Sequence, residues 1–524
     1  MTVWRKALLL VLWMGSLGAA LLAGALAHKY RARIRAYFRA VQDSPVLQTS
    51  LYNLRIRKVA VQTESRDGGI AAVEDGVLFV NRRGASWFVD SALQLHPVSL
   101  RAPTNVAEFE ADPYTSTTEF RERFGVKDIL VQRLPGSLRL LVAHAWWNTG
   151  RRCYTLRVSA LETRAAQLTG REAGDTSTGS WRMLFESTCR ELLGGTESQP
   201  RHVTLGWGGR LAALSDTQIM LSVGEFSAEY AEQPAMTVND SAGKTILIDV
   251  AGATGRTYSW GHRNAQGLAV APDGRIWLTE HGARGGDELN LVRPGRNYGV
   301  PEVTYGTQYG MLVWPRSPAQ GRHEGYEKPI FAWVPSIATS QLAVLSGRGF
   351  PYWAGDLLIG TLASQNLYRV RVEEDRVIFV EPMVMGHRLR DIDETASGSI
   401  VLLTDDGFLV YLDNLDGAAS ASLAPVDRGA LLAGQCRSCH TMAPDSANRI
   451  GPNLWGVVGR RVASSSGYRY SDALRNVGGT WTREQLKRYL ADPPAFAPGT
   501  SMAVATGYTD QQLADLVAYL ETLR

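Results

Sequence analysis

The chain has 524 residues, of which 45% are hydrophobic and 20% are charged. This composition excludes a mostly disordered or collagen-like chain, and the length predicts two to four domains of about 150 residues each. The net charge of +4 is small beside 55 basic and 51 acidic residues, so it gives no basis for nucleic-acid binding. The 52 glycines favour a fold with many tight turns, as in β-rich proteins.

The first predicted element is an uncharged apolar segment that runs from Ala7 to Ala27. As a helix it would span about 30 Å, the thickness of a bilayer core. An A-x-A sequence at 25–27 also fits a cleaved signal peptide, so residues 1–27 are either a transmembrane helix or a signal. A basic cluster follows at 29–39 and, by the positive-inside rule, would hold that side in the cytoplasm.

A basic linker is predicted at 28–50, and a repeated strand pattern follows over 51–415. Each repeat alternates apolar and other residues around a tight turn, as β-hairpins do. The copies lie at 70–80, 211–223, 268–280 and 392–406. Their spacing indicates a unit of about 60 residues, and therefore six units. The pattern predicts an all-β six-bladed propeller, with inserted loops at 160–200.

A small-residue linker at 416–425 ends the strand pattern, and helical periodicity predicts a separate small all-α domain at 426–524. Within this domain Cys436, Cys439 and His440 form a C-x-x-C-H motif, which indicates covalent haem c. Two thiols bond to the porphyrin, and the adjacent histidine ligates the iron. A redox C-x-x-C or half of a zinc site are the alternatives, but the sequence has no second cysteine pair of this spacing.

The α-helical domain resembles class I cytochrome c over nearly all of its length. The resemblance is carried by GPNLWGVVGRR (451–461), GYRYSDAL (467–474), TWTREQLKRYLADP (480–493) and PGTSM (498–502). It implies that His440 and Met502 ligate the haem iron, a pair that raises the haem potential. It further implies that the Pro452 carbonyl orients the histidine. Three more residues would donate to the haem propionates: Arg460, Tyr470 and Trp481.

Haem of this kind is attached on the outer side of the bacterial inner membrane. The resemblance therefore implies a periplasmic location for everything after Ala27, against the positive-inside rule. We expect a single-pass inner-membrane protein whose partners are the membrane and an electron-acceptor protein or a larger membrane complex. In that oxidising compartment Cys153 and Cys189 can form a disulfide, and two buried thiols are the alternative.

The densest polar constellation of the predicted propeller is GHRNAQGLAVAPDGRIWLTEHGARGGDELNLV (261–292), followed by GRNYGVPEVTYG (295–306). Its Arg, Asn and Gln side chains suit a flat anionic ligand with carboxylate and carbonyl oxygens. A turn network held by hydrogen bonds would use the same residue types. These two segments resemble the soluble quinoprotein sugar dehydrogenases, six-bladed propellers that use pyrroloquinoline quinone (PQQ) and calcium.

That resemblance implies two groups of site residues. The side chains that would contact PQQ are Arg263, Asn264, Gln266, Arg388 and Arg390. The backbone carbonyls of Gly282 and Ala283 would hold a PQQ-bound Ca²⁺. Glu288 and the backbone of Tyr298 would hold a second, structural Ca²⁺.

Two positions depart from the sugar dehydrogenase pattern. Gly206 stands where the family has its catalytic histidine, and Ala363 stands where it has a cofactor-binding lysine. His202 could replace the histidine only if its loop is rebuilt. A general base contributes about 10²–10⁴-fold in rate. Two functions therefore remain open: a dehydrogenase that oxidises an aldose and reduces its own haem, and a non-catalytic propeller that serves as scaffold or electron-transfer subunit of a larger membrane complex.

Overall fold

The computed structural model describes residues 46–61, 67–115, 122–172, 181–191, 206–226, 234–282, 284–306, 322–415, 425–433, 436, 439–502, 508 and 510–524. The predicted apolar segment, most of both predicted linkers, His202 and Ala283 lie outside these residues. Within them, no helix has the length and the apolar character needed to cross a membrane.

Over these ranges, 26 strands form six antiparallel sheets, which are the blades of a propeller. Strands β1 (Val46–Gln48) and β2 (Asn53–Ala60) come first in the chain and belong to the last blade. Blades 1 to 3 contain β3 (Gly68–Val73), β4 (Gly76–Asn81), β5 (Ala85–Val89) and β6 (Leu95–Arg101); β7 (Val126–Leu134), β8 (Ser137–Asn148), β9 (Cys153–Thr163), β10 (Arg182–Glu186) and β11 (Arg190–Glu191); and β12 (Gly208–Ala213), β13 (Gln218–Val223), β14 (Lys244–Asp249) and β15 (Thr254–Trp260). Blades 4 to 6 contain β16 (Asn264–Val270), β17 (Ile276–His281), β18 (Asp287–Val292) and β19 (Phe331–Trp333); β20 (Thr339–Val344), β21 (Leu357–Thr361), β22 (Asn366–Glu373) and β23 (Arg376–Val384); and β24 (Leu389–Glu394), β25 (Ile400–Thr404) and β26 (Phe408–Asn414).

The blades close into a ring, which confirms the predicted six-bladed propeller. The first strand of each blade contacts the first strand of the next, and β24 contacts β3. The N-terminal β2 pairs with β26, with Ala60 opposite Phe408, so the two ends of the domain share one sheet. Closure of this kind leaves only short, protected strand edges.

The predicted repeats are the inner hairpins of blades 1, 3, 4 and 6. Blade 2 lacks the repeat pattern because its inner hairpin turns at Pro135-Gly136, and blade 5 lacks it because residues 345–356 separate β20 from β21. The prediction of inserted loops at 160–200 is wrong for β10 and β11, which are outer strands of blade 2. A disulfide joins Cys153 to Cys189 in this blade, with a Cα–Cα distance of 5.7 Å.

Buried polar side chains connect neighbouring blades. Asp391 accepts a hydrogen bond from the Ile70 amide at 2.8 Å, and Gln341 accepts one from the Leu268 amide at 3.0 Å. Asp128 accepts from the Leu211 amide at 2.8 Å. These bonds satisfy backbone donors that face the next blade instead of their own sheet. Burial raises the pKa of the Asp128 and Asp391 carboxyls.

Short helices α1 (Val106–Ala111) and α2 (Ala165–Leu168) belong to the propeller. The C-terminal domain has α3 (Pro425–Leu432), α4 (Asp472–Val477), α5 (Arg483–Ala491), α6 (Pro493–Phe496) and α7 (Asp510–Thr522). Helices α3 and α7 pack closely at Gly429, where a Cβ would lie 1.9 Å from the Asp515 carbonyl oxygen. Arg428 binds the Asp515 carboxylate at 2.7 and 2.8 Å across the same contact.

The C-terminal domain packs against blade 5, at the end where β20 finishes. Leu345, Phe350 and Trp353 from this end belong to one buried apolar cluster with Leu432 and Leu516 of the helices. All five side chains are at most 2% exposed, so the contact is a closed core and not a loose tether.

Candidate functional site

A cavity of about 250 Å³ lies where the first strands of all six blades begin. Because each blade presents the same end of its inner strand, residues far apart in sequence meet here. The residues that line it are Asp67, Gly68, Arg123, Lys127, Trp207, Gly208, Arg210, Asn264, Gln266, His281, Ala338, Leu362, Arg388 and Arg390.

The cavity wall is positively charged, with five cations and one carboxylate among its described residues. Arg388 Nε lies 2.6 Å from Asp405 Oδ2, and Arg390 binds both oxygens of the same carboxylate. Asp405 therefore aligns the two guanidinium groups and offsets part of their charge. The remaining excess of positive charge favours an anionic ligand.

The predicted amide side chains, Asn264 and Gln266, lie in this wall, and Asn264 is close to Gly206. Gln266 Nε2 donates to Asn264 Oδ1 at 2.6 Å. A Cβ built on Gly206 would lie 3.3 Å from the Asn264 side chain, so the position of the expected histidine contacts a residue of the cavity wall. Glycine offers no proton acceptor there. The lining residue Leu362 precedes Ala363, which likewise brings no charge.

Arg263, the fifth predicted PQQ residue, is directed to backbone carbonyls beside the cavity. Its Nη1 donates to Gly282 O at 2.8 Å and to His281 O at 3.2 Å, and its Nε lies 3.4 Å from Glu225. The Gly282 carbonyl is one of the two predicted Ca²⁺ ligands, and the other, that of Ala283, lies outside the described residues. A guanidinium bonded to that oxygen would repel a divalent cation, so the described residues do not fit Ca²⁺ at this point.

Asp287 shapes the rim of the cavity and was not singled out in the sequence. Its carboxylate accepts from the amides of Gly282 at 3.0 Å, Ile337 at 2.8 Å and Ala338 at 2.6 Å, and from the Ser336 hydroxyl. One fully buried carboxylate thus holds two loops of blades 4 and 5 together. An acidic residue at the start of an apolar strand was its only sequence signal.

The predicted second calcium position contains buried carboxylates. Asn290 Nδ2 donates to Glu280 at 2.9 Å and to Glu288 at 3.2 Å, and burial together with Glu280 raises the pKa of Glu288 well above its usual value. His323 lies 3.9 Å from Glu288, and its ring nitrogens have no hydrogen-bond partner in the described part of the chain. The carboxylate oxygens of Glu280 and Glu288 and the ring nitrogens of His323 are atoms that can ligate a cation. Among the described residues, however, no three His, Cys, Asp or Glu side chains have a metal-binding arrangement. Tyr298 stacks on His262 nearby.

His440, the predicted iron ligand, is held as the resemblance to cytochrome c implies. The Nδ1 of His440 lies 2.7 Å from the Pro452 carbonyl oxygen, which leaves Nε2 for iron. Burial lowers the pKa of His440 and favours the neutral imidazole. Gly451 packs on the ring, where a Cβ would lie 2.3 Å from Cε1. Burial raises the pKa of the Cys436 thiol to about 11.

The other predicted haem residues lie around the same core. Met502 packs against the buried cluster of the C-terminal domain, and Trp481 is part of it. Arg460 donates to the carbonyls of Asn453 at 2.8 Å and Trp455 at 3.1 Å. The Tyr470 hydroxyl accepts from an amide at 3.2 Å. Their roles as iron ligand and propionate donors remain predictions.

Two family models match the chain. Residues 190–411 match Glucose / Sorbosone dehydrogenase, and residues 426–524 match Cytochrome c. Cytochrome c2 of Blastochloris viridis is 42% identical over 87 residues, which are 17% of this chain and 68% of that protein.

Two relatives match longer stretches of the chain at lower identity. The uncharacterized protein slr1608 of Synechocystis is 33% identical over 258 residues, 45% of this chain and 60% of that protein. The aldose sugar dehydrogenase YliI of Escherichia coli is 37% identical over 164 residues, 30% of this chain and 44% of that protein. The chain thus spans less than two thirds of either protein. A crystal structure of glucose dehydrogenase, 26% identical with a TM-score of 0.54, covers 68% of this chain and 99% of its own.

Proposed function

We propose that this chain oxidises an aldose and reduces its own haem c. It belongs to the cytochrome c family through residues 426–524, and these residues are joined to a glucose/sorbosone dehydrogenase domain. Haem electron transfer follows from the combination of the two domains. The sugar, the quinone cofactor and the location are our proposals. The observation that carries them is the cationic cavity, which collects Asn264, Gln266, Arg388 and Arg390 on the propeller axis.

The cavity residues suit PQQ, a flat quinone with several carboxylates. Arg388 and Arg390 offer charge-assisted hydrogen bonds to carboxylates, and the amides of Asn264 and Gln266 match carbonyl oxygens. The volume of about 250 Å³ is close to the lower end of the usual range for small-molecule sites, roughly 300 Å³. When bound, PQQ would supply the ortho-quinone that accepts a hydride from the sugar.

The work of the chain itself is to bind, orient and shield. Asp405 fixes the directions of Arg388 and Arg390, and Asp287 holds the rim loops in place. Calcium at Gly282 has no part in this proposal, because Arg263 already donates a hydrogen bond to that carbonyl. A structural cation beside Glu288 would neutralise its buried carboxylate.

We further propose that the domains face the periplasm and that the apolar N-terminal segment directs or anchors them there. The disulfide between Cys153 and Cys189 suits an oxidising compartment. A periplasmic acceptor protein or membrane complex would then collect electrons from the haem.

The test is to add PQQ, with and without Ca²⁺, and a panel of aldoses to the purified protein and to follow haem absorbance. We expect sugar-dependent haem reduction, and at least about tenfold weaker PQQ binding in Arg388→Gln and Arg390→Gln, since each loses a charge-assisted bond. Arg275→Gln is the matched control, because Arg275 pairs with Asp273 on the exposed turn between β16 and β17, away from the cavity.

A non-catalytic scaffold is the second candidate, favoured by the absence of a side chain at Gly206. It predicts that the purified protein binds no PQQ and that no aldose reduces the haem. That result would overturn the dehydrogenase proposal and leave an electron-transfer subunit.

A further inference from the structure

One cation of the cavity differs chemically from the others. Lys127 lies at the start of β7, and its side chain is only 5% exposed. The other cations among the described lining residues are arginines, which do not lose their proton in proteins. Lys127 is therefore the cation of the described cavity wall that can exchange a proton with a ligand.

The surroundings of Lys127 resemble those of a supported acid–base group. Its Nζ donates to Asp67 Oδ2 at 2.5 Å and to the Arg123 carbonyl. The ammonium lies 5.0 Å from the ring centroid of Trp207, which favours a positive charge. A carboxylate and an aromatic face thus both stabilise the protonated form.

Lys127 also lies against the segment that lacks a base. A Cβ built on Gly209 would lie 2.7 Å from the Cβ of Lys127, so the two residues are in contact. Gly206, three residues earlier, faces Asn264. Lys127, Asn264 and Gln266 line the same cavity, in which a substrate hydroxyl would sit. His281 also lines the cavity, but its Nε2 lies 2.5 Å from the Thr339 carbonyl oxygen. This nitrogen is therefore a hydrogen-bond donor to the backbone and not a proton acceptor for a ligand.

The charges around Lys127 act in opposite directions. Burial lowers its pKa to about 8, and Asp67 opposes this effect, while Arg390 and Arg82 reinforce it. Arg210 donates to the backbone carbonyl of Lys127 from the next blade. A part of the molecules therefore carries a neutral amine near neutral pH, and that part grows as the pH rises.

We propose that Lys127 is the catalytic base of this cavity, an inference that rests on the proposed dehydrogenase function. Its Nζ takes the proton of the sugar C1 hydroxyl, so an O–H bond breaks and an N–H bond forms. The C1 hydrogen leaves with its electron pair to the quinone, which is the oxidant, and the C1–O bond becomes a carbonyl. The sugar would lose two electrons to the bound quinone and become a lactone, and Asp67 would stabilise the new ammonium.

The deciding variant is Lys127→Arg, which keeps the positive charge but cannot become a neutral base. We expect it to bind PQQ nearly as wild type does and to lose about 100-fold or more in the rate of sugar oxidation. The wild-type rate should rise with pH around 8, and the variant should lose this dependence. Lys244→Met is the matched control, because Lys244 is another buried lysine whose Nζ bonds to the Ala235 and Ala242 carbonyls and which does not line the cavity.

A second readout needs no activity. The chain has seven lysines, so ¹⁵N-lysine spectra of the protein without PQQ can follow each amine. A signal that titrates near 8 and disappears in Lys127→Arg supports the proposal, whereas titration of Lys127 near its ordinary value overturns it. If Lys127→Arg does not fold, Asp67→Asn replaces it and should move the pH midpoint of turnover downward.

The outcomes separate this inference from the proposed function. Sugar oxidation in Lys127→Arg at the wild-type rate and with the wild-type pH profile would overturn the base and leave the dehydrogenase intact. A wild-type protein that binds PQQ but oxidises no aldose would overturn both.

Discussion

Two glycines determine what the neighbouring side chains can do. Gly451 leaves just enough room for the His440 ring, which bonds to the Pro452 carbonyl. Gly206 lies against Asn264 of the cavity wall, where a Cβ would be 3.3 Å from the Asn264 side chain. The first glycine makes room for the predicted iron ligand, and the second leaves no side chain where the family resemblance predicts a proton acceptor. A residue with no side chain thus has opposite consequences in the two domains.

We expect Gly451→Ala to destabilise the C-terminal domain by about 1–3 kcal/mol, the usual cost of overpacking. The added methyl group would push the His440 ring away from the Pro452 carbonyl and weaken the bond to iron. Denaturation followed through the Soret band measures the stability, and the reduced spectrum reports the ligation. Ile450→Ala, which alters the neighbouring exposed side chain, should change neither. A wild-type unfolding curve for Gly451→Ala would show that the loop relaxes without cost.

Between strands, buried acceptors hold neighbouring blades together at the inner ring. Asp391 on β24 binds β3, Asp128 on β7 binds β12, and Gln341 on β20 binds β16. The strands of one blade pair through their backbones, but the first strands of two blades have no common ladder. Side chains must therefore satisfy the amides that face across the gap.

These carboxyls predict an unusual dependence of stability on pH. Burial raises the folded-state pKa of Asp391 above the unfolded-state value of about 4. Between the unfolded-state and the folded-state pKa, Asp391 keeps its proton in the folded protein and loses it in the unfolded chain. The contribution of Asp391 to the free energy of unfolding therefore falls as the pH rises. Asp391→Asn should lose less stability than wild type between about pH 4 and 7 in urea denaturation.

Asp413→Asn gives a control of opposite sign. Arg57 lowers the pKa of Asp413 against its partial burial, so the stability that Asp413 contributes is present at neutral pH and is lost as the pH falls. Equal pH dependence in wild type and Asp391→Asn would contradict the assignment of a raised pKa to Asp391.

The cavity and the cytochrome domain lie at opposite ends of the blades. Strand β20 begins beside Ala338 in the cavity wall and ends before Leu345, which is buried with the cytochrome domain. Six residues at about 3.3 Å each separate the two ends by about 20 Å. Electron tunnelling slows steeply with distance, so we expect the transfer from cavity to haem to be the slow step of the proposed reaction.

A small soluble redox mediator should therefore accelerate haem reduction at saturating sugar and PQQ. Stopped-flow absorbance of the haem measures the effect, with lactone formation under single turnover as the control that the mediator should leave unchanged. Haem reduction at the same rate with and without mediator would mean that electrons cross the propeller by a faster route than the separation of the two ends allows.

Local patterns in the sequence were enough for the domain plan. The spacing of Cys436, Cys439 and His440 predicts haem attachment, and hairpins at an interval of about 60 residues predict the propeller. The predicted amide pair and two arginines do meet in one cavity. Each of these signals depends on residues that are close in sequence or on a period that recurs along it.

Ring closure decided the rest of the site. Asp67, Lys127 and Trp207 come from three blades and meet only because the first strands form a circle. A lysine in an apolar strand was the single sequence hint of this group. The pairing of both arginines with Asp405 and the packing of the cytochrome domain on the far end of blade 5 left no local pattern at all. Such contacts depend on which strand ends come together in space, and no spacing along the chain records that.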